Sequence, residues 1–111
     1  MEIAEHAQLL KEQFTASRQL LTAIGDNTRQ AIILTLMGAG CGGMRVGDIT
    51  DKTHLSRPAV SHHLKILLDA GMAGVTPKGT KNYYWLNLGT EWNEFVALVG
   101  HIELLRKQIQ N

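Results

Sequence analysis

The stretch Leu55-Ser56-Arg57-Pro58-Ala59-Val60-Ser61-His62-His63-Leu64-Lys65 holds a helix start followed by two chemically different helix faces. Ser56 can cap the helix with its hydroxyl, and Pro58 suits the first turn, where a missing backbone N–H leaves no bond unmade. Val60, Leu64, Leu67 and Leu68 recur at helical spacing, so one side faces a core. Arg57, Ser61, His62 and Lys65 fall on the other side, which is polar and cationic. The pattern predicts a helix from Ser56 to about Ala70, stopped by Gly71 as a C-terminal glycine cap. A cationic face on one such helix suits the major groove of DNA.

Upstream, Val46 to Thr53 reads as a short helix with Val46, Ile49 and the following Leu55 turned inward. The segment Gly38-Ala39-Gly40-Cys41-Gly42-Gly43 before it is rich in glycine, which makes helix propagation costly and predicts a flexible connector. Asp26-Asn27-Thr28 offers a cap for an earlier helix that stops at Gly38, with Ile32, Ile33, Leu36 and Met37 as expected core positions. Ile3, Ala7, Leu10, Phe14, Ser17, Leu21 and Ile24 repeat at alternating steps of four and three, predicting one amphipathic first helix that ends near Gly25.

Downstream of Gly71 the period shortens to that of a strand. Met72-Ala73-Gly74-Val75-Thr76 and Lys81-Asn82-Tyr83-Tyr84-Trp85-Leu86-Asn87, joined by a turn at Pro77-Lys78-Gly79-Thr80, predict a β-hairpin with Lys78 and Lys81 at its tip. A last helix from about Thr90 to Gln108 carries the stripe Trp92, Phe95, Val99, Ile102, Leu105 and Ile109. The expected fold is a single mostly α winged helix-turn-helix domain over residues 1–111, with about five helices and a two-stranded wing in the order ααααββα. Helices at 1–24 and 90–109 flank it with apolar stripes that suit a dimer seam, formed by Leu10, Phe14, Leu21, Trp92, Phe95, Val99 and Ile102.

Composition limits the function classes. A chain of 111 residues with 44% hydrophobic content builds one modest core and no second domain. There is no apolar run of about 18 residues to span a membrane, and Met1-Glu2-Ile3-Ala4-Glu5 lacks a signal peptide's basic start, so a cytoplasmic protein is expected. The single cysteine, Cys41, excludes an intrachain disulfide and any Cys-x-x-Cys site. The net charge is only +1, but it is unevenly spread. Residues 45 to 85 hold Arg45, Lys52, Arg57, Lys65, Lys78 and Lys81 against Asp48, Asp51 and Asp69, together with His54, His62 and His63. Both flanking segments are slightly acidic. Positive charge thus gathers around the groove-suited helix, as an electrostatic footprint for nucleic acid requires.

Gly25-Asp26-Asn27-Thr28-Arg29, then Val46-Gly47-Asp48-Ile49, then the run from Leu55 through Leu67 to Ala70-Gly71, together resemble the ArsR/SmtB family of bacterial repressors over about residues 20 to 87. The resemblance implies a homodimeric, sequence-specific repressor of a double-stranded DNA operator. Its first and last helices would pair, each recognition helix would enter a major groove, and each wing would touch flanking DNA. In that geometry Arg57 suits a guanine edge, and the Ser56 and Ser61 hydroxyls suit phosphates or bases. His62 and Lys65 suit phosphates, as do Lys78 and Lys81 unless they serve solubility alone. His63 leans toward the interior as a packing histidine.

The family's familiar inputs are missing from the sequence. Met44-Arg45-Val46-Gly47-Asp48 stands where paired cysteines would hold soft metals, and the last helix lacks the Asp-x-His and His-x-x-His or His-x-x-Glu pairs of the other metal site. No metal or other cofactor is expected, although histidines donated by two subunits stay open, and no effector is legible. Gly38, Gly40 and Gly43 satisfy G-x-G-x-x-G, but they follow a helix and lack the strand a dinucleotide site needs. No catalytic motif occurs, so an enzyme is not expected. The alternative is a winged-helix module that uses the same face to bind a protein.

Overall fold

The computed structural model describes residues 2–110. In chain order the elements are α1 (Ile3–Ala16), α2 (Arg18–Ile24), α3 (Asn27–Met37), a 3-10 turn at Gly40–Gly42, α4 (Val46–Thr53), α5 (Arg57–Asp69), β1 (Ala73–Lys78), β2 (Lys81–Leu86), a 3-10 turn at Thr90–Trp92, and α6 (Asn93–Gln110). This is the expected winged helix-turn-helix, with six helices because the predicted first helix divides at Ser17. There the Ser17 hydroxyl donates to the Gln13 carbonyl at 2.9 Å, bonding back four residues in the way that bends helices.

Local chemistry delimits α5 as its sequence requires. Ser56 Oγ accepts the Ala59 amide at 3.2 Å, and Pro58 sits in the first turn. At the far end Gly71 has φ 75°, its amide bonds to the Leu68 carbonyl at 3.0 Å, and the Met72 amide bonds to the Leu67 carbonyl at 2.9 Å. Those paired bonds are a Schellman ending, and the fully buried Met72 supplies its apolar contact. The turn before α5 passes through His54, which is left-handed at φ 59°.

The wing is an antiparallel pair in the register Ala73↔Leu86 to Lys78↔Lys81. Its turn is tighter than the sequence suggests, because Pro77 and Lys78 belong to β1 and only Gly79-Thr80 connects the strands. Gly79 has φ 64° and Thr80 is not left-handed, the arrangement of a type II′ hairpin turn. The glycine-rich connector is also more ordered than its composition implies. Met44 exchanges two backbone hydrogen bonds with Tyr84, at 2.8 and 2.7 Å, and so attaches the segment before α4 to β2.

Ile32, Leu36, Ile49, Val60, Leu64, Leu67 and Met72 fill the core where α3, α4, α5 and the wing meet. Met37, expected in this core, is instead 58% exposed at the end of α3. Helices α1 and α6 pack on each other, and the buried residue of α1 is His6, which lies off the expected stripe; Ser17 of that stripe is buried just past the end of α1. Ile3 and Phe14 of that stripe stay 83% and 56% exposed.

Candidate nucleic-acid interface

With Val60, Leu64 and Leu67 buried, α5 turns Arg57, Ser61, His62 and Lys65 to solvent. Ser56 is exposed at the helix start, its oxygen engaged by the Ala59 amide and its O–H free to donate. Lys65 lies 3.5 Å from Asp69, one turn on, with both side chains well exposed, so the pair is weak and its ammonium can exchange to a phosphate. Lys78 and Lys81 face each other beside the hairpin turn, with the Lys78 ammonium 5.1 Å from the centre of the Tyr83 ring. The residues expected from sequence to contact DNA are therefore all exposed, on α5, its cap residue Ser56 and the wing.

His63 is half-buried behind this row. Its Nδ1 lies 3.3 Å from Nη1 of Arg29, and since a guanidinium only donates, the histidine nitrogen accepts and the ring proton resides on Nε2. Arg29 also donates to the carbonyls of Ala23, at 2.7 Å, and Thr22, at 3.1 Å, tying the end of α2 to α5. The Arg29 amide donates to Asp26 at 2.9 Å and holds that carboxyl below its ordinary range; the Arg29 charge adds to the effect and partial burial opposes it. Sequence pattern marked Asp26 as a cap but did not reveal Arg29 as the clasp behind the recognition helix.

A cavity of about 310 Å³ separates the helix-turn-helix from the wing, lined by Arg45, Val46, Gly47, Arg57, Lys81, Asn82 and Tyr84. Arg57 reaches back toward α4: a Cβ built on Gly47 would stand 2.9 Å from its Nη2. Arg45 was not among the residues singled out by pattern, because its place beside the wing depends on the Met44–Tyr84 bridge.

The residues of the expected dimer seam divide into two groups. Trp92 and Phe95 are half-buried against the core, where Trp92 Nε1 donates to the Asn87 carbonyl at 2.6 Å. Leu10 and Leu21 are half-buried on α1 and α2, whereas Phe14, Val99 and Ile102 are exposed. Among the described residues, no three His, Cys, Asp or Glu side chains converge to hold a metal ion. No helix among them is long and apolar enough to cross a membrane.

Residues 26–74 match the family described as bacterial regulatory protein, arsR family. An uncharacterised HTH-type transcriptional regulator of Methanocaldococcus jannaschii is 36% identical over 91 residues, spanning 82% of this chain and 99% of the relative. The transcriptional repressor SdpR of Bacillus subtilis is 43% identical over 65 residues, spanning 59% of this chain and 69% of SdpR. Among solved structures, an ArsR-like transcriptional regulator from Rhodococcus sp. aligns with a TM-score of 0.73 at 22% identity, over 87% of this chain and 85% of that one. Reduced HlyU from Vibrio cholerae aligns with a TM-score of 0.66 at 25% identity, over 91% of this chain and 96% of HlyU.

Proposed function

This chain belongs to the ArsR family of bacterial regulatory proteins and is a DNA-binding transcriptional regulator, and we propose that it works as a homodimeric repressor on a double-stranded operator. In this reading α5 enters the major groove with Ser61, His62 and Lys65 along its contact face and Ser56 and Arg57 at its leading end. Lys78 and Lys81 of the wing meet flanking phosphates.

The observation that carries the proposal is the exposed row on α5, held rigidly by a capped helix whose opposite face is the domain core. Dimer formation is supported by the end helices. Their mutual seam is lined by polar His6 and His101, while Ile3, Phe14, Val96, Val99 and Ile102 are left exposed and apolar. Exposed apolar surface gathered on two packed helices suits a second copy. No effector is assigned.

The test is to select duplexes from a random pool and measure binding by fluorescence anisotropy across a salt series. Neutralising several phosphates releases counterions, so affinity should fall steeply with salt, and K65A should weaken every duplex alike. A footprint should show two half-sites about 34 Å apart. Salt-insensitive binding that ignores K65A and R57A would instead mark the face as a protein-binding surface.

A further inference from the structure

We propose that the cleft between α4, the start of α5 and β2 is a clamp for a single phosphodiester, in which Arg45, Arg57 and Lys81 together seat one backbone phosphate of the bound duplex. The proposal rests on DNA binding through α5, and it moves Arg57 from the base-reading role suggested by its position to backbone contact.

Three cations from three separate segments line this cavity, and none of the residues lining it is acidic. Arg45 is held from outside the lining by Asp48, 3.8 Å from its Nε, in a half-exposed pair at the start of α4. Among the described residues the ion pairs involve Arg45, Lys65 and Arg106, so Arg57 and Lys81 carry uncompensated charge into the same space. Bringing like charges together is unfavourable unless an anion joins them, and guanidinium groups suit phosphate through paired N–H donors.

The glycine at 47 supports this use. Its absent side chain is the room that the Arg57 guanidinium occupies, which draws Arg57 out of the row facing the groove and into the cleft. The Met44–Tyr84 bridge fixes the other wall, because it fastens the residue before Arg45 to the strand that carries Lys81 and Asn82. About 310 Å³ is room for a phosphate with a few waters. The cleft lies between α5 and the wing, the two elements that the proposed function sets against DNA. A strand's phosphodiester is therefore favoured over a free phosphate ion.

The experiment uses the full chain with a selected duplex and scans single neutral methylphosphonates along each strand. One phosphate position per half-site should weaken wild-type binding by about tenfold yet leave R45Q and K81Q, already weakened, almost unaffected. Each variant should lower the salt slope by about one and weaken selected and random duplexes equally. K81Q lies on a hairpin tip, removed from helix capping, and circular dichroism checks that R45Q keeps its fold. If K65A weakens DNA binding while R45Q and K81Q do not, the clamp is wrong and the groove reading stands. If none of the three changes binding, both are wrong. If inorganic phosphate at millimolar concentration shifts the Arg45 side-chain resonances and no methylphosphonate position couples to Arg45, the cleft is a free-anion site and the phosphodiester clamp is overturned.

Discussion

His6 Nδ1 stands 2.6 Å from His101 Nε2, joining α1 to α6 through two buried imidazoles. The direction of the chain of hydrogen bonds follows from its end. Gln13 Oε1 accepts from His101 Nδ1 at 2.9 Å, so His101 Nε2 carries no proton and accepts from His6 Nδ1–H. His6 Nε2 is then a buried acceptor with no donor among the described residues. The charged residues of the two helices, Glu5, Lys11, Glu12, Glu94, Glu103, Arg106 and Lys107, are all exposed.

Replacing only one of these histidines strands the other. H101L should leave the His6 donor buried and unpaired and cost about 1–3 kcal/mol in urea unfolding. In the H6L/H101L double variant both polar groups are gone, and the loss should be smaller than the sum of the single losses by at least about 1 kcal/mol. Additive losses would show that the two rings do not depend on each other.

Glycine at 43 answers two constraints at once. Its φ of 75° with ψ −173° belongs almost wholly to glycine, and a Cβ there would lie 2.5 Å from the Tyr84 carbonyl oxygen. G43A should break the Met44–Tyr84 bridge and destabilise the fold by at least about 2 kcal/mol. Gly42, one residue earlier, has no atom within 4 Å of a built Cβ, and G42A should leave the melting temperature nearly unchanged. Equal effects of the two substitutions would refute the assignment.

Much of this architecture is written in short-range pattern. The Ser56 cap, the Pro58 first turn, the Gly71 ending and the Gly79 turn each depend on neighbours within a few residues, and each occurs where its residue type predicts. The exposed row on α5 follows from the same spacing. Partners distant in the chain are a different matter. His6 and His101 are 95 residues apart, and no local rule brings them together. The stripe on α1 marks its apolar side, where Ile3 and Phe14 stay exposed, but no spacing rule says that α6 meets the neighbouring line of His6 and Gln13. Arg45 likewise gains its meaning from Tyr84, across the whole of α4 and α5.

Asp26 sets a pH dependence. Its folded value lies below that of the unfolded carboxyl, chiefly through the bond from the Arg29 amide, so the ionised group stabilises the fold above about pH 4. That contribution fades as pH falls through the depressed folded value. D26N keeps an acceptor at the cap but loses the charge beside Arg29. It should melt below wild type at neutral pH, and the gap should narrow as the pH is lowered beneath the ordinary carboxylate range. A gap that stays constant into strong acid would remove Asp26 from the account.

The exposed stripe on α6 tests the dimer. Val99 and Ile102 are 49% and 41% exposed, one turn apart, and Phe14 on α1 is 56% exposed. A glutamate at either α6 position meets water in a monomer, so V99E and I102E should keep the helical content and melting behaviour of an isolated domain. In a dimer the same carboxylate is buried against apolar surface and strongly disfavours association. Sedimentation velocity should therefore show monomers for both variants. Their operator affinity should fall by more than tenfold, because the two recognition helices no longer bind as a linked pair. V99E and I102E proteins that sediment as dimers and bind DNA like the wild type would place the interface elsewhere on the molecule.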